Sequence, residues 1–559
     1  MRILLLCRRF NSLSQRIFCE LRERGHEVSV ELDVHPDLTV EAAELYRPDM
    51  VLATFLQRKI PPQVWRRFRT LVIHPGPPGD RGPSALDWAI LRGERVWGVT
   101  LLEATEEYDA GDVWAHRTFP MRFGRKSSVY RNEVTEAAVE CVLEAVEGDP
   151  KPEPQSGGVW NPPVGDELRR IDWERDGTGD VLRKVYASDS QPGAPGVLLG
   201  RELYLYNAFP EGRLRGSPGE IIAVRDEAVC VGTADGAVWI THVREKEKRA
   251  IKLPALRVLP ELRGRVPELD LDPWEDTDAE TYREILYEEE GGIGYIHFRF
   301  YNGAMSTEQC LRLLRTVRHA KRRPVKALVL LGQEDFFSNG MNLNTIENAE
   351  SPAEESWRNI RAMDDLCEEI LKTSDKLTVA GMQGNAGAGG VFLALTCDLV
   401  FAREGVVLNP HYRNMGNLYG SEFWTYTLPK RVGEERVGEI MGGRLPLSAR
   451  KARDTGLIDD CFGKTPAEFR RKLRERIESF IDSPHFAKFV EEKRREREDP
   501  RWLKEIKRCR EEELRRMRLS FYGFDTSYHI ARYYFVHRHP HFRTPPYLAV
   551  HRRLRSGSF

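Results

Sequence analysis

A single histidine, His74, stands at the end of an apolar run in LVIHPGPPGDRG, directly before a loop rich in proline and glycine. An imidazole at the end of a strand can donate to a developing oxyanion or move a proton. The segment EYDAGDVWA supplies a candidate partner, because Asp109 and Asp112 lie in a tight turn before another strand. A carboxylate there can orient an imidazole and stabilise its charge. The alternative is a histidine with only a structural role.

Two glycine-rich stretches form a second candidate site. They read DFFSNGMNL over residues 335–343 and GNAGAGGVFLALTCD over residues 384–398, and neither contains the G-K-S/T of a phosphate loop. Small residues where a strand meets a helix let two backbone N–H groups converge on one oxygen, as in an oxyanion hole. The alternative is that these glycines only permit tight packing.

The segment GNLYGSEFWTY, from Gly416 to Tyr426, adds a carboxylate among aromatic residues. In that setting Glu422 could be a base with a raised pKa, and Tyr419 lies three residues before it. The alternative is a glutamate that caps or pairs at the start of a helix. The three histidines of HRHPHF have no cysteine or carboxylate beside them, so we predict no metal site.

The first strand-to-helix turn carries candidate ligand contacts. Arg8, Arg9 and Gln15 flank this turn. Helix N-termini and arginines commonly bind phosphate at such places. We therefore expect Arg9 and Gln15 to contact a cofactor.

The elements that must position these residues fall into three regions. Residues 1–160 alternate strand patterns such as MRILLL with helix patterns, which predicts a parallel, doubly wound, Rossmann-like sheet that binds ligands at the carboxyl ends of its strands. Residues 161–268 contain short alternating strands typical of a small β-barrel. Residues 280–559 begin a new α/β pattern and end in charged helices. The predicted fold class is therefore α/β multidomain.

Composition excludes several classes of protein. The 559 residues carry a net charge of -1, which argues against a chain whose whole surface binds nucleic acid. No apolar run approaches the roughly 18 residues of a membrane span, and the N-terminus is too quickly charged for a signal peptide. Nine scattered cysteines without C-x-x-C indicate reduced thiols. We expect a cytoplasmic protein whose partners are small molecules.

The first two regions resemble the folate-dependent formyltransferases, such as methionyl-tRNA formyltransferase. The matching residues are His74, Arg81-Gly82 with the helix that follows, and the Asp-Ala-Gly-Asp of Asp109 to Asp112; IDW at 171–173 and the barrel are similar to that family's C-terminal domain. The resemblance implies that His74 and Asp109 carry formyl transfer.

That resemblance also implies a cofactor and a departure from the family. It implies that the segment from Thr54 and Phe55 to Pro61 lines the pterin pocket of 10-formyltetrahydrofolate. The family's asparagine two residues before the histidine is Val72 here. Loss of such an oxyanion donor costs roughly 3–4 kcal/mol unless another group compensates. An ordinary amine acceptor is therefore in doubt.

The third region resembles the crotonase, or enoyl-CoA hydratase/isomerase, family. The two glycine-rich stretches match that family's motifs, as do TLPKRVG and LSARKARDTGLID. The resemblance implies that the amides of Met341 and Gly389 form an oxyanion hole for a coenzyme A (CoA) thioester. The two hydratase glutamates fall at Phe392 and near Tyr412, so the carboxylates that handle water have no obvious counterparts.

Both modules on one chain resemble the HypX/HoxX-type nickel–iron hydrogenase maturation proteins. That resemblance implies transfer of the formyl group from 10-formyltetrahydrofolate to CoA, then decarbonylation of formyl-CoA to carbon monoxide for hydrogenase maturation factors. Glu422 would be the base and Tyr419 would assist. The alternatives are a formyltransferase acting on an amine fused to an acyl-CoA lyase or isomerase, and a non-catalytic scaffold that binds folate or CoA.

Overall fold

The computed structural model describes residues 1–148, 150–155 and 157–553. These residues divide into two compact units. The first unit holds residues 1–270, residues 278–282 and the segment from Pro540 onward; the second holds Leu271–Thr277 and Arg283–His539. No helix in the described ranges is long and apolar enough to cross a membrane. The predicted α/β multidomain class is confirmed.

The N-terminal part of the first unit alternates strands and helices. Its strands are β1 (Arg2–Cys7), β2 (Glu27–Leu32), β3 (Met50–Phe55), β4 (Thr70–His74), β5 (Asp80–Arg81), β6 (Val96–Glu103), β7 (Val113–Pro120) and β8 (Val159–Trp160). Its helices are α1 (Ser12–Glu23), α2 (Pro36–Tyr46), α3 (Pro62–Trp65), α4 (Ala85–Arg92), α5 (Lys126–Val129), α6 (Thr135–Glu147) and α7 (Asp166–Arg169), with a π-helical turn over Tyr130–Val134.

Six of these strands form one sheet in the order β2-β1-β3-β4-β6-β7. The first four are parallel, whereas β6 runs antiparallel to both β4 and β7. The prediction of a parallel sheet is therefore wrong for β6, which runs against the other five strands. A loop of nine residues with the Asp-Ala-Gly-Asp turn joins β6 to β7, and neighbouring strands joined so directly pair antiparallel.

The chain's C-terminal segment covers the outer edge of this sheet. The amide of Leu32 in β2 donates to Oγ1 of Thr544 over 2.8 Å, and the amide of Val30 donates to the carbonyl of Leu548 over 3.0 Å. The His551 ring, fully buried, contacts Glu31 over 3.0 Å. These contacts satisfy edge N–H groups that would otherwise be open to pairing with another chain.

The rest of the first unit, where the sequence predicts a small β-barrel, is built around an antiparallel sheet. Its strands are β9 (Ala194–Leu198), β10 (Arg201–Glu211), β11 (Ile221–Arg225), β12 (Ala228–Gly232), β13 (Ala237–Glu245) and β14 (Leu253–Pro254), and its helices are α8 (Thr178–Ser188) and α9 (Ala255–Val258), with a 3-10 turn at Pro260–Leu262. The strand order is β11-β12-β13-β10-β9, with β14 on β13. Valine, leucine and isoleucine fill its core.

The second unit contains the remaining elements. Its strands are β15 (Ile285–Glu290), β16 (Ile293–Phe298), β17 (Ala327–Leu331), β18 (Phe336–Ser338), β19 (Leu377–Met382), β20 (Asn385–Gly387), β21 (Leu399–Ala402), β22 (Val407–Asn409), β23 (Leu447–Ser448) and β24 (Asp460–Cys461). Its helices are α10 (Thr307–Lys321), α11 (Leu343–Glu347), α12 (Pro352–Leu371), α13 (Gly389–Leu395), α14 (Trp424–Val432), α15 (Glu434–Gly443), α16 (Ala449–Asp454), α17 (Pro466–Ile481), α18 (Phe486–Glu498), α19 (Pro500–Tyr522) and α20 (Ser527–Val536).

Two sheets organise this unit. One has the order β15-β16-β17-β19-β21-β24, and the other has the order β18-β20-β22-β23. Each of β17, β19 and β21 leads within a few residues into β18, β20 or β22, and these three short strands are parallel. The loops that follow these three strands therefore leave the second sheet at the same end, where the two glycine-rich stretches meet.

Candidate functional sites

The first candidate site lies at the carboxyl ends of β1, β3 and β4. Cys7 pairs with Phe55 and Ala53 pairs with Val72, so His74 ends its strand beside the end of β3. From β1 the chain turns to β2 on one side and then to β3 on the other. Ligands of doubly wound sheets bind in the crevice at such a reversal.

The predicted cofactor residues surround this crevice with different accessibility. Arg9 is exposed, and among the described residues its guanidinium meets no carboxylate. Desolvation by the protein around it, and then the charge of Arg8, lower the pKa of Arg9 although its side chain still reaches solvent. Gln15 donates to the Phe10 carbonyl over 2.9 Å. These observations place an unpaired cation at the start of α1.

Thr54 and Phe55 form the other side of the crevice. Thr54 is buried, and its hydroxyl lies 2.6 Å from that of Ser14, so this oxygen already has a partner. Phe55 is half-buried and meets the ring of Tyr130 edge-on at 6.3 Å. Phe55 thus presents a partly open aromatic surface, whereas Thr54 helps to fix the end of β3.

His74 lies between two carboxylates. Its Nε2 is 2.7 Å from Oδ2 of Asp80, and its Nδ1 is 3.5 Å from Oδ1 of Asp109. Asp109 adopts a positive φ of 53°, which aspartate tolerates better than most residues, and its other oxygen accepts the Gly82 amide over 3.0 Å. The predicted pairing of His74 with Asp109 is thus present as a contact, within a larger cluster.

Asp80 is the residue of this cluster that sequence reasoning missed. Its second oxygen accepts a hydrogen bond from the Asn161 side chain over 2.7 Å. The contact passes over Gly76, where an added Cβ would lie 2.3 Å from Asp80 and 2.5 Å from His74 Nε2. The Pro/Gly loop therefore folds the carboxylate of Asp80 back onto the imidazole of His74. The only signal in the sequence was an acidic residue at the far end of that loop.

The second candidate site lies where β18 and β20 end. The backbones of the two glycine-rich stretches touch here, because a Cβ added at Gly340 would lie 3.2 Å from the Gly389 nitrogen. No described residue accepts a hydrogen bond from the amide of Met341 or of Gly389. Ala388, directly before, has a strained positive φ of 46°. Two neighbouring unpartnered amides are what an oxyanion hole requires.

Glu422 is aimed at this pair of amides. Its side chain is 1% exposed, and a Cβ added at Gly389 would lie 2.2 Å from its Oε1. Its Oε2 accepts a hydrogen bond from the hydroxyl of Tyr412 over 2.5 Å. Burial, and then the charge of Asp364, raise the pKa of Glu422 to about 8. Burial therefore makes Glu422 a stronger base than an ordinary glutamate.

Tyr412, rather than Tyr419, is the tyrosine bonded to Glu422. The Tyr419 ring packs on Trp424 at 5.2 Å, with the Arg516 guanidinium 5.5 Å from its centre. Sequence distance suggested Tyr419 because it is three residues from Glu422. The loop after β22 instead brings back Tyr412, which a local pattern does not reveal.

Aromatic rings occupy the positions where the resemblance to hydratases implies glutamates, at Phe392 and near Tyr412. Phe392 and Tyr412 are both buried, and their rings stack at 5.2 Å with an angle of 15° between planes. Neither ring supplies a carboxylate that could bind water there. Among the described residues, no group of three or more His, Cys, Asp and Glu side chains is arranged to hold a metal ion.

Three protein-family models match separate stretches of the chain. The Formyl transferase model matches residues 31–146, and the model for the Formyl transferase C-terminal domain matches residues 164–256. The Enoyl-CoA hydratase/isomerase model matches residues 288–512. Methionyl-tRNA formyltransferase of Streptococcus pneumoniae is 28% identical over 31% of this chain and 56% of its own length.

One relative is similar over the full length. The hydrogenase maturation factor HoxX of Bradyrhizobium diazoefficiens is 47% identical, with 100% of this chain and 98% of that protein aligned. The chain belongs to the HoxX/HypX family of hydrogenase maturation factors. The crystal structure of HypX from Aquifex aeolicus in complex with tetrahydrofolic acid is 72% identical, with a TM-score of 0.98 over 99% of both chains. The family predicted from the sequence is confirmed, and its two modules indicate an enzyme.

Proposed function

We propose that the chain transfers the formyl group of 10-formyltetrahydrofolate to the thiol of CoA and converts formyl-CoA into carbon monoxide for hydrogenase maturation. Folate and CoA are substrates here, and CoA is regenerated. The relative from Aquifex aeolicus was crystallised with tetrahydrofolic acid, the product of such a transfer. The proposal is carried by one arrangement, the carboxyl of Glu422 beside two free amides where a hydratase would hold water.

In the first step the thiol sulfur attacks the formyl carbon, a C–S bond forms and the C–N bond to the folate nitrogen breaks. His74 takes the thiol proton and returns it to that nitrogen, acting as general base and then general acid. The carboxylates of Asp80 and Asp109, at opposite ring nitrogens, stabilise the imidazolium formed between these events. The unpaired guanidinium of Arg9 offers a binding point for an anionic group of either substrate.

In the second step the amides of Met341 and Gly389 hold the formyl oxygen. Glu422 removes the formyl proton, the electron pair of the C–H bond stays on carbon, and the C–S bond breaks to release carbon monoxide and a thiolate. The hydroxyl of Tyr412, 2.5 Å from Glu422, gives its proton to the thiolate sulfur. Glu422 then passes the proton it took from the formyl group to Tyr412. This role falls to Tyr412 by geometry, whereas Tyr419 lies against Trp424.

Exclusion of water explains why the product is carbon monoxide. Water held beside a formyl thioester would hydrolyse it to formate. The stacked rings of Phe392 and Tyr412 remove the carboxylates that would bind that water. A buried base flanked by stacked aromatic rings therefore favours removal of the formyl proton.

The test uses the full-length protein with both substrates under anaerobic conditions. Tetrahydrofolate release is followed with and without CoA, and carbon monoxide is trapped by reduced haemoglobin and read by its absorbance. We expect folate release to require CoA and carbon monoxide to match it mole for mole. Formate as the only one-carbon product would overturn decarbonylation, and release supported by an amine in place of CoA would favour an amine formyltransferase.

A further inference from the structure

Glu422 lies in a turn that side-chain-bearing residues rarely adopt. Glu422 and Phe423 are consecutive residues with φ of 63° and 59°, in the left-handed region that favours glycine. Neither is glycine, so the surrounding structure must hold them there. This backbone also points several N–H groups inward, where they need acceptors.

Two carboxylates from distant helices accept those N–H groups. Asp364 on α12 accepts the amide of Glu422 over 2.9 Å and the hydroxyl of Ser421 over 2.8–2.9 Å. Glu513 on α19 accepts the amide of Phe423 over 2.9 Å. Successive N–H groups in such a turn form a concave binding site for an anion.

Thr425 completes the contacts. Its amide and hydroxyl both donate to Oε1 of Glu513, over 2.8 and 2.6 Å. Asp364 and Glu513 are both 0% exposed, and neither forms an ion pair within the described part of the chain. A buried carboxylate without a paired cation is costly, and a neutral amide would also accept an N–H bond. Burial accordingly raises the pKa of both groups, and their convergence on one turn is explained if they hold that turn in place.

We propose that Asp364 and Glu513 are positioning residues, which clamp the turn over residues 421–425 so that the carboxyl of Glu422 faces the amides of Met341 and Gly389. This inference rests on the proposed function, in which Glu422 is the base. Because Glu513 belongs to α19, the charged helices after the crotonase-like core are part of the second site.

The charges that face Glu422 explain why carboxylates suit this clamp. The titratable groups around it are Tyr412, Asp364, Glu513 and the thiols of Cys310 and Cys367. Arg510 faces Asp364, but its hydrogen bonds go to Asp365 and Glu368. The pKa of Asp364 is raised by burial to about 7, and its charge raises the pKa of Glu422. Asp364 therefore strengthens the base that it positions.

The charge of Asp364 is tested with Asp364→Asn, which keeps an oxygen acceptor and the shape. The full-length variant is given formyl-CoA, and kcat and KM for carbon monoxide are measured against pH. We expect the rising limb of kcat to move to lower pH by about one unit, because a like charge beside Glu422 is lost. Glu512→Gln is the control, since Glu512 pairs with Arg515 and Arg516 away from the clamp, and its pH profile should not move.

The geometric role of Glu513 is tested with Glu513→Gln, which turns an amide N–H₂ toward a backbone N–H. We expect kcat to fall about tenfold or more with KM nearly unchanged, since an acceptor oxygen of the clamp is replaced by a donor at the base only. Glu512→Gln, one residue away on the exposed face of α19, should keep the wild-type kcat. The inference would be overturned if both Asp364→Asn and Glu513→Gln kept the wild-type kcat and the wild-type pH profile, even if the variants were less stable.

Two further measurements keep the test decisive. If Asp364→Asn does not fold, Ser421→Ala removes only a hydroxyl from the clamp, and a kcat equal to wild type would refute it; a drop of about threefold is expected. An infrared pH titration of the carboxyl band lost in Glu422→Gln reads the proton on Glu422 without any turnover. If the midpoint of this band moves in Asp364→Asn, the clamp is supported even when the protein makes only formate. The measurement therefore distinguishes failure of the clamp from failure of the proposed function.

Discussion

The two candidate sites use carboxylates in opposite ways. In the first, Asp80 and Asp109 lie against the two nitrogens of His74, at 2.7 and 3.5 Å. In the second, Glu422 lies near Asp364 and Glu513, with no basic side chain bonded to any of the three in the described part of the chain. Carboxylates beside an imidazole stabilise charge on it, whereas carboxylates crowded in an apolar interior are forced toward binding protons.

That difference matches the chemistry of the two proposed steps. Formyl transfer develops charge on the imidazole while a proton moves from sulfur to nitrogen, so flanking carboxylates help. Removal of a formyl proton needs a base with high proton affinity and no water, so burial helps. Four experiments probe this difference between the sites, in order of decreasing expected effect.

The largest effect should come from Glu422→Gln, which removes the base of the second site and keeps its shape. Loss of a general base typically costs 10²–10⁴-fold, so carbon monoxide output should fall by about that factor while tetrahydrofolate release continues. Both products are measured in one anaerobic reaction, with Glu512→Gln as the control. Unchanged carbon monoxide output would remove Glu422 from the mechanism.

His74→Ala should have the reverse pattern. Tetrahydrofolate release in the presence of CoA should fall by roughly 10²–10⁴-fold, because the group that moves the thiol proton is gone. Formyl-CoA supplied from outside should still yield carbon monoxide at the wild-type rate. A wild-type rate of folate release would contradict the role of His74.

The second step alone should depend steeply on pH near neutrality. Glu422 must be unprotonated to accept the formyl proton, and burial followed by the charge of Asp364 raises its pKa to about 8. Carbon monoxide formation from formyl-CoA should therefore rise about tenfold per pH unit below about pH 8 and level off above it. If the rate instead rose with a midpoint of about pH 4.3, the ordinary pKa of glutamate, the buried carboxyl would not be the base.

The smallest effect distinguishes two tyrosines. Tyr412→Phe removes the hydroxyl 2.5 Å from Glu422, and loss of a hydrogen bond to a charged group should lower kcat for carbon monoxide about tenfold or more. Tyr419→Phe, whose ring packs on Trp424, should stay within about twofold of wild type. The opposite order would restore Tyr419 as the assisting group.

Local sequence patterns predicted much of the fold. Strands such as β1 and β4 are apolar runs bounded by polar turns, and the amphipathic helix α1 has its N-cap at Asn11, so their positions follow from short stretches of chain. The antiparallel direction of β6 did not follow, because the direction of a strand is set by where its neighbours lie. The docking of the C-terminal segment on β2 joins residues about 520 positions apart, which no local pattern encodes.

The sequence by itself determined the chemistry of the individual groups: a histidine at a strand end, two glycine-rich strand-to-helix turns and a glutamate among aromatic residues. The spacing of these groups indicated the family, and the relative that is similar over the full length confirms it. Only the tertiary structure decided the partners, namely Asp80 for His74, Tyr412 for Glu422, and the clamp of Asp364 and Glu513. Glu513 did leave a trace, as the one acidic residue in the buried stripe of α19. The stripe shows that a residue is buried, but only packing against α12 and the turn at Glu422 determines what a buried carboxylate touches and so which form of it is stable.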